Sequence, residues 1–342
     1  MPALRTDPKK LVYTQHNLAN VYRETGDLDR ALAYLAESDA IARVHLLPIQ
    51  RSFHLTSMAH IQLQQGRIDE ALDTYRAAVD LSRQTQHAEG LVQSLRMLGN
   101  ALLALARYEE ALPRLQEAAQ LFVQLEDRGS EAEMRTGIAL ILERTSLDQA
   151  AQAWSVVLDL QRSRGDSRGE LQACEGLARA TRESGGDAVS AFESALTLAA
   201  TIGNRARETA IRNTLGILEW ERGGYAAALK HYECALPLAR EEGSVAHEVV
   251  ILNSLGASLT RLGRPDEART VLEESLALSR TIGERQLKAH TLAALGHLSL
   301  TTGDPGGAAQ RFEESRLLRQ AIGDRAGARA MERRLASLAR EP

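Results

Sequence analysis

Nine histidines, two cysteines and a few adjacent carboxylates are the side chains whose types could carry chemistry in this 342-residue chain. Their spacing does not support it. His290 and His297 share one face of a helical pattern, but seven residues of helix rise about 10 Å, too far for both rings to hold one metal ion. The pairs Glu109-Glu110 and Glu273-Glu274 read as solvated surface. Cys174 and Cys234 are too few for a disulfide scaffold and read as two packed free thiols. There is no Gly-x-x-x-x-Gly-Lys-[Ser/Thr] loop, no dinucleotide-binding glycine fingerprint and no Gly-x-Ser-x-Gly elbow. Gly303, Gly306 and Gly307 belong to a turn that no strand precedes. The expectation is a non-enzymatic chain with no metal and no cofactor. What remains is hydrogen-bonding chemistry. An asparagine side chain offers a donor and an acceptor to any peptide backbone. An arginine clamps a carboxylate or phosphate through two parallel bonds.

The composition narrows the partners. A formal net charge of −4 makes no electrostatic case for nucleic acid or an anionic membrane. Aromatic residues are 4% of the chain, which leaves few rings for base stacking. The longest apolar runs, such as Ala101 to Ala106, are far too short to span a bilayer, and the N-terminus does not read as a signal peptide. A cytoplasmic protein is expected. Lysine occurs only at Lys9, Lys10, Lys230 and Lys288, against abundant Arg, Ala, Leu and Gly, a bias that suggests a GC-rich bacterial genome.

The elements that carry these residues repeat. Gly26-Asp27-Leu28-Asp29-Arg30-Ala31-Leu32 recurs as Gly66-Arg67-Ile68-Asp69-Glu70-Ala71-Leu72 and as Ala106-Arg107-Tyr108-Glu109-Glu110-Ala111-Leu112. One alanine per copy sets the register: Ala31, Ala71, Ala111, Ala150, Ala188, Ala228, Ala268 and Ala308, spaced by 38 to 40 residues. Fifteen residues after most of these comes a second turn signal, as in Gly203-Asn204-Arg205 and Gly283-Glu284-Arg285. Each repeat therefore holds two helices. In repeat 6 the first is expected over roughly 207–222, with Ile211, Leu215 and Leu218 at helical spacing. A small residue occupies one slot of every first helix: Ala19, Ala59, Gly99, Ala139, Ala178, Gly216, Gly256 and Gly296. A mid-helix glycine costs about 1 kcal/mol against alanine, so the slot marks a close helix approach. In the second helices a large residue follows the alanine by four: Leu35, Tyr75, Leu115, Trp154, Phe192, Tyr232, Leu272 and Phe312. Pro265 and Pro305 open their helices, with Asp304 as an expected N-cap.

The leucine before the small residue, the Gly-x-[Leu/Ile/Tyr] turn and the alanine five after that Gly together resemble tetratricopeptide repeats. The resemblance covers about residues 10–323 in one register. The period of about 40 is similar to the long-repeat subgroup of kinesin light chains, cell-polarity adaptors and sensor domains of bacterial signal-transduction ATPases, rather than the usual 34 residues. It implies an all-α, right-handed superhelical solenoid of eight repeats. Residues 1–9 are expected to form an N-terminal extension. A capping helix follows within 324–342, expected from Arg325 to Arg340, with Ala328, Met331, Leu335 and Leu338 inward and Arg329, Glu332 and Arg333 outward. Two departures stand out. Thr145-Ser146 replaces the turn glycine of repeat 4, and Ser184-Gly185-Gly186-Asp187 shortens repeat 5, so a bend or change of twist is expected between 144 and 188. The apolar turn Leu46-Leu47-Pro48-Ile49 either packs locally or marks a contact surface. The N-terminus has no cap like the C-terminal one, so a fragment of a longer chain or a pairing surface is expected there.

In proteins of this resemblance the first helices line a concave groove that takes extended peptides. Carried over by position, the groove comprises Tyr13, His16, Asn17, Asn20 and Arg23 in repeat 1, and Phe53, Thr56 and His60 in repeat 2. Repeat 3 supplies Gln93, Arg96 and Asn100; repeat 4 supplies Glu133 and Thr136; repeat 5 supplies Gln172, Glu175, Arg179 and Arg182. Asn213, Trp220, Asn253, His290 and His297 come from repeats 6 to 8. The leading expectation is a scaffold binding a protein or peptide segment in this groove. The alternative is the ligand-sensing domain of a bacterial signal-transduction ATPase or transcriptional regulator, with its pocket at repeats 4 and 5. A third, enzymatic reading has a groove glutamine or glutamate assisting chemistry on a phosphorylated response-regulator domain. Self-association through the first repeat and the Leu46–Ile49 turn is compatible with each.

Overall fold

A computed structural model describes residues 7–339, all helices and turns with no strand among them. Eight helix pairs follow one another: α1 (Pro8–Glu24) with α2 (Leu28–Val44), α3 (Pro48–Gln64) with α4 (Ile68–Gln84), α5 (Ala88–Ala104) with α6 (Tyr108–Gln124), and α7 (Arg128–Thr145) with α8 (Leu147–Arg164). Then come α9 (Ser167–Glu183) and α10 (Val189–Thr201), α11 (Arg205–Glu221) with α12 (Tyr225–Glu241), α13 (Val245–Arg261) with α14 (Pro265–Thr281), and α15 (Arg285–Thr301) with α16 (Pro305–Ala321). A final helix, α17 (Arg325–Leu338), closes the series. The first helix begins at Pro8, just inside the expected N-terminal extension. Arg340, assigned to the capping helix from the sequence, lies outside the described residues.

The chain divides into two compact units at Gly186/Asp187, between α9 and α10, within the stretch whose spacing departs from the period. In the first unit each helix from α2 to α9 packs on its predecessor, and the odd-numbered helices also touch in series. In the second, each helix from α11 to α17 packs on its predecessor, and α11, α13 and α15 touch in series. Among the described residues no pair of second helices packs this closely. The odd helices therefore form the tighter face of each stack. Second helices are linked instead by long side chains: Arg76 with Glu110 and Arg83 with Glu117 between α4 and α6, and Arg240 with Glu274 between α12 and α14.

The register residues explain the packing. All eight phase alanines are buried, as are the small slot residues and the large residues four after each alanine. A Cβ on Gly216 would lie 2.5 Å from a Tyr232 ring carbon, and one on Gly256 would lie 2.5 Å from Leu272. The slot is small because the partner helix's large side chain fills it. Leu115 and Trp154 extend the same contact forward, against Gly137 and Gly176 of the following repeats. Ser38, Ser275 and Ser315, each seven after its alanine, lie within hydrogen-bond distance of Val12 O, Asn253 Oδ1 and Ala289 O on the first helix of their pair and so tie the two helices together.

The turns also follow the register. Helices end on a left-handed residue at Gly26, Gly66, Gly165, Gly203, Gly223 and later glycines, but at four turns of the first unit Leu46, Gln86, Ala106 and Glu126 adopt that conformation. Ser146 has φ −157° and is the single residue between α7 and α8, which accounts for the shorter spacing there. The α10 helix has 13 residues against the usual 17. Pro265 and Pro305 open α14 and α16, and Asp304 caps α16 by accepting from Gly307 N at 2.8 Å. Of the apolar turn, Leu46 is 85% exposed, whereas Leu47, Pro48 and Ile49 are half-buried. Cys174 is buried, but Cys234 is exposed rather than packed. Ala328 and Met331 of α17 are buried, and Leu335 and Leu338 pack on the cluster around Phe312.

Candidate functional site

A cavity of about 610 Å³ opens on the odd-helix face of the first unit, lined by α1, α3 and α5. Each helix contributes one stripe at spacings of three to four, the period at which side chains share a face. Val12, Tyr13, His16 and Arg23 come from α1. Ile49, Gln50, Phe53, His54, Thr56, Ser57 and His60 come from α3, and Gln93, Arg96 and Met97 from α5. Tyr13 is 58% exposed at the mouth and Phe53 36%, its ring edge-on to His87.

His54 sits at the back, only 2% exposed. Its Nε2 lies 3.2 Å from Ser38 Oγ, which also lies within hydrogen-bond distance of the Val12 carbonyl, at 3.0 Å. Ser38 Oγ and His54 Nε2 are thus hydrogen-bonded, and the His54 tautomer sets which of them donates. No protein group within the described residues reaches the His54 Nδ1, and the buried Nδ1 of His16 also has no partner. The two rings lie 5.4 Å apart. Burial pulls the His54 pKa down to about 4, helped by His16 and Arg51 and opposed by Asp39. His16 and His60 are lowered by burial and then by Arg23. At neutral pH the cavity therefore presents uncharged imidazoles.

At the rim, Arg96 donates twice to Gln93 Oε1, at 2.8 and 3.1 Å, and once to Glu133 of α7 at 3.3 Å. Asn100 donates to the same Glu133 at 2.9 Å and does not line the cavity. Nor do Asn17, which is exposed, and Asn20, which is half-buried. Thus Tyr13, His16, Arg23, Phe53, Thr56, His60, Gln93 and Arg96 converge, while Asn17, Asn20 and Asn100 stand apart. On α9, Gln172 and Arg179 are exposed, Glu175 is buried, and Arg179 bonds Glu143 at 3.1 Å. Glu143 also accepts from Trp154 Nε1.

The second unit holds a separate cavity of about 490 Å³ between α11, α13, α15 and α17, lined by Trp220, Arg261, His297 and Arg334 among others. Arg261 lies over the Trp220 and Tyr225 rings, and Trp220 Nε1 is buried without a partner. His297 stands edge-on to Phe312. Asn253 accepts from Ser275 at 3.0 Å, Asn213 is half-buried with its carbonyl oxygen unpartnered, and His290 is exposed. Asn213, Trp220, Asn253, His290 and His297 all belong to the second unit.

The groove read from the sequence lacks Val12, Ile49, Gln50, His54, Ser57 and Met97, which also line the cavity. A single stripe per helix records which residues face outward, but His54 is the residue beside Phe53 and reaches the cavity from the buried side. A histidine embedded among buried positions, paired with a serine seven after a phase alanine, is the signal that could have found it.

The comparisons agree with the repeat geometry. Family models described as tetratricopeptide repeat match residues 11–47, 50–122, 96–166 and 248–339. Tetratricopeptide repeat protein 29 of Trypanosoma brucei brucei is 30% identical over 97 residues, 28% of this chain and 20% of that protein, so the chain spans about a fifth of the length of this curated relative. Three solved structures are similar. A signal transduction ATPase with numerous domains and a tetratricopeptide repeat sensor, from Pyrococcus horikoshii, has a TM-score of 0.65 at 13% identity, covering 96% of this chain and 56% of that one. The apo form of RapI has a TM-score of 0.65 at 11% identity, covering 97% and 98%. BtubC from P. vanneervenii has a TM-score of 0.55 at 20% identity, covering 64% and 92%. Identities this low speak to fold alone. Fold, register and family matches together place this chain in the tetratricopeptide-repeat family.

Proposed function

We propose that the first unit binds a protein or peptide segment on the face of α1, α3 and α5, with one side chain of the segment entering the cavity. The scaffold acts without catalysis. The observation that carries this reading is the cavity, which spans three successive repeats and combines apolar walls with aromatic side chains at its mouth. Apolar walls from Phe53, Met97, Val12 and Ile49 favour burial of an apolar side chain. Tyr13 and Phe53 at the mouth are the aromatic anchors that protein interfaces favour.

The test is selection of a random peptide display library on the intact protein, followed by affinity measurement on the native chain and on Phe53→Glu. A lone charge facing an apolar side chain should lower affinity at least tenfold while helicity by circular dichroism is unchanged. Selected peptides that bind Phe53→Glu equally well would place the interaction elsewhere. A second reading, a sensor of a small ligand, is supported by the cavity volume, which falls within the range of small-molecule sites. In that case no peptide is enriched, and a small molecule raises the unfolding temperature.

A further inference from the structure

The second unit has a cavity that peptide binding on the first unit leaves unused, and its charges are one-sided. Arg261 reaches its rim from the end of α13 and Arg334 from α17, and among the described residues no carboxylate lines it. Other arginines of this unit have a carboxylate beside them: Arg264 has Glu267, Arg316 has Glu313 and Arg319 has Asp324. Arg261 and Arg334 are exposed, and neither side chain makes an ion pair or hydrogen bond among the described residues. Arg261 instead lies 5.9 and 5.8 Å from the centres of the Trp220 and Tyr225 rings, which hold it in place without neutralising it. We infer that the cavity between α11, α13, α15 and α17 binds a small molecule carrying a phosphate monoester on a short apolar body.

The head group follows from the field. Two like charges facing one cavity with low-dielectric walls raise its potential and draw an anion in. Each guanidinium offers parallel donors that match two phosphate oxygens. Two unanswered cations also match the roughly −1.5 to −2 charge of a phosphate monoester at neutral pH. His297 of α15 lines the same cavity and records both charges. Its pKa is lowered by burial first, then by Arg334 and Arg261, and no acidic group opposes them there. At His290, by contrast, Asp324 opposes Arg319. A bound phosphate offsets both arginines at His297, so the ring's titration midpoint rises on binding. The body follows from the walls. Trp220, Ala257, Ala294 and Leu300 are apolar, and a volume of about 490 Å³ falls within the range of small-molecule sites.

The probes are phenyl phosphate, benzamide and inorganic phosphate, which supply head and body together, a neutral body, and the head alone. Binding is measured by titration calorimetry on the intact chain at low salt, with the His297 ring followed by NMR. Phenyl phosphate should bind at least tenfold tighter than either of the others, weaken as salt is raised, and move the His297 midpoint upward. The double variant Arg261→Gln, Arg334→Gln should lose the preference for phenyl phosphate over benzamide. Should loss of Arg261 from the Trp220 face unfold the unit, as circular dichroism would show, Arg334→Gln alone removes no described ion pair and should still weaken phenyl phosphate several-fold without affecting benzamide. Phenyl phosphate binding no tighter than benzamide, tight binding kept by the folded variants, or an unmoved His297 midpoint would overturn the inference. Inorganic phosphate binding as tightly as phenyl phosphate would overturn the apolar body. None of these outcomes depends on whether the first unit selects a peptide.

Discussion

At the scale of single residues, the account turns on side chains whose neighbours decide their state. His54 is the clearest. Its pKa is near 4 when folded and about 6.5 when unfolded, so the unfolded chain binds the extra proton between those values. Stability from this group is therefore complete above pH 6.5 and lost as pH falls toward 4, by up to about 3 kcal/mol. Urea unfolding at pH 7 and pH 4.5 should show a steep loss in native protein and a shallower one in His54→Leu. Equal slopes would mean the ring takes up its proton over the same pH range in both states. Gly216 is decided by contact instead. Gly216→Ala gains about 1 kcal/mol of helix propensity but drives a Cβ into the buried Tyr232 ring, an overpacking cost of roughly 1–3 kcal/mol. We expect net destabilisation by thermal melting, and a raised melting temperature would show that Tyr232 can move aside.

At the scale of elements, the helices were legible because each repeats the same three marks: a small slot, a phase alanine and a large residue four later. Eight copies in register turn weak local signals into a strong one. Element ends were less so. Glycine is the usual signature of a left-handed helix terminus, and the sequence was read through it, yet Leu46, Gln86, Ala106 and Glu126 adopt that conformation with a side chain. Their turns are imposed by the packing of the helices on either side. The conformation costs a non-glycine residue about 1–2 kcal/mol, partly offset by the extra chain entropy glycine loses on folding. Ala106→Gly and Glu126→Gly should each stabilise by about 1 kcal/mol in chemical denaturation. Gly66→Ala, at the same turn position of repeat 2, should destabilise by a similar amount. Opposite signs would mean that the turns are held open by something other than the dihedral preference.

At the scale of the whole molecule, the repeat count and the all-helical class followed from the register; the departure at Gly185-Gly186 falls where the compact units divide, whereas Ser146 lies inside the first. The described hydrophobic clusters each lie within one unit: those around Leu115 and Leu35 in the first, those around Leu272 and Phe312 in the second. Repeat stacks derive stability from neighbouring repeats rather than from distant ones. The two segments 1–186 and 187–342, expressed separately, should each be helical and melt cooperatively. A segment that stays unfolded alone would show that its stability depends on the other.

The candidate site was only half legible at this scale. Position along a helix tells which residues face outward, and Tyr13, His16, Phe53, His60, Gln93 and Arg96, read that way, line the cavity. The cavity behind them comes from contacts between helices, which one stripe per helix does not encode. Asn100 shows the converse: it faces outward but gives its amide proton to Glu133.

The most direct test of the account is hydrogen exchange of the intact chain with and without a selected peptide. Slower exchange confined to α1, α3 and α5, and absent in Phe53→Glu, is the predicted result. Slower exchange on the second helices, or only in the second unit, would contradict it.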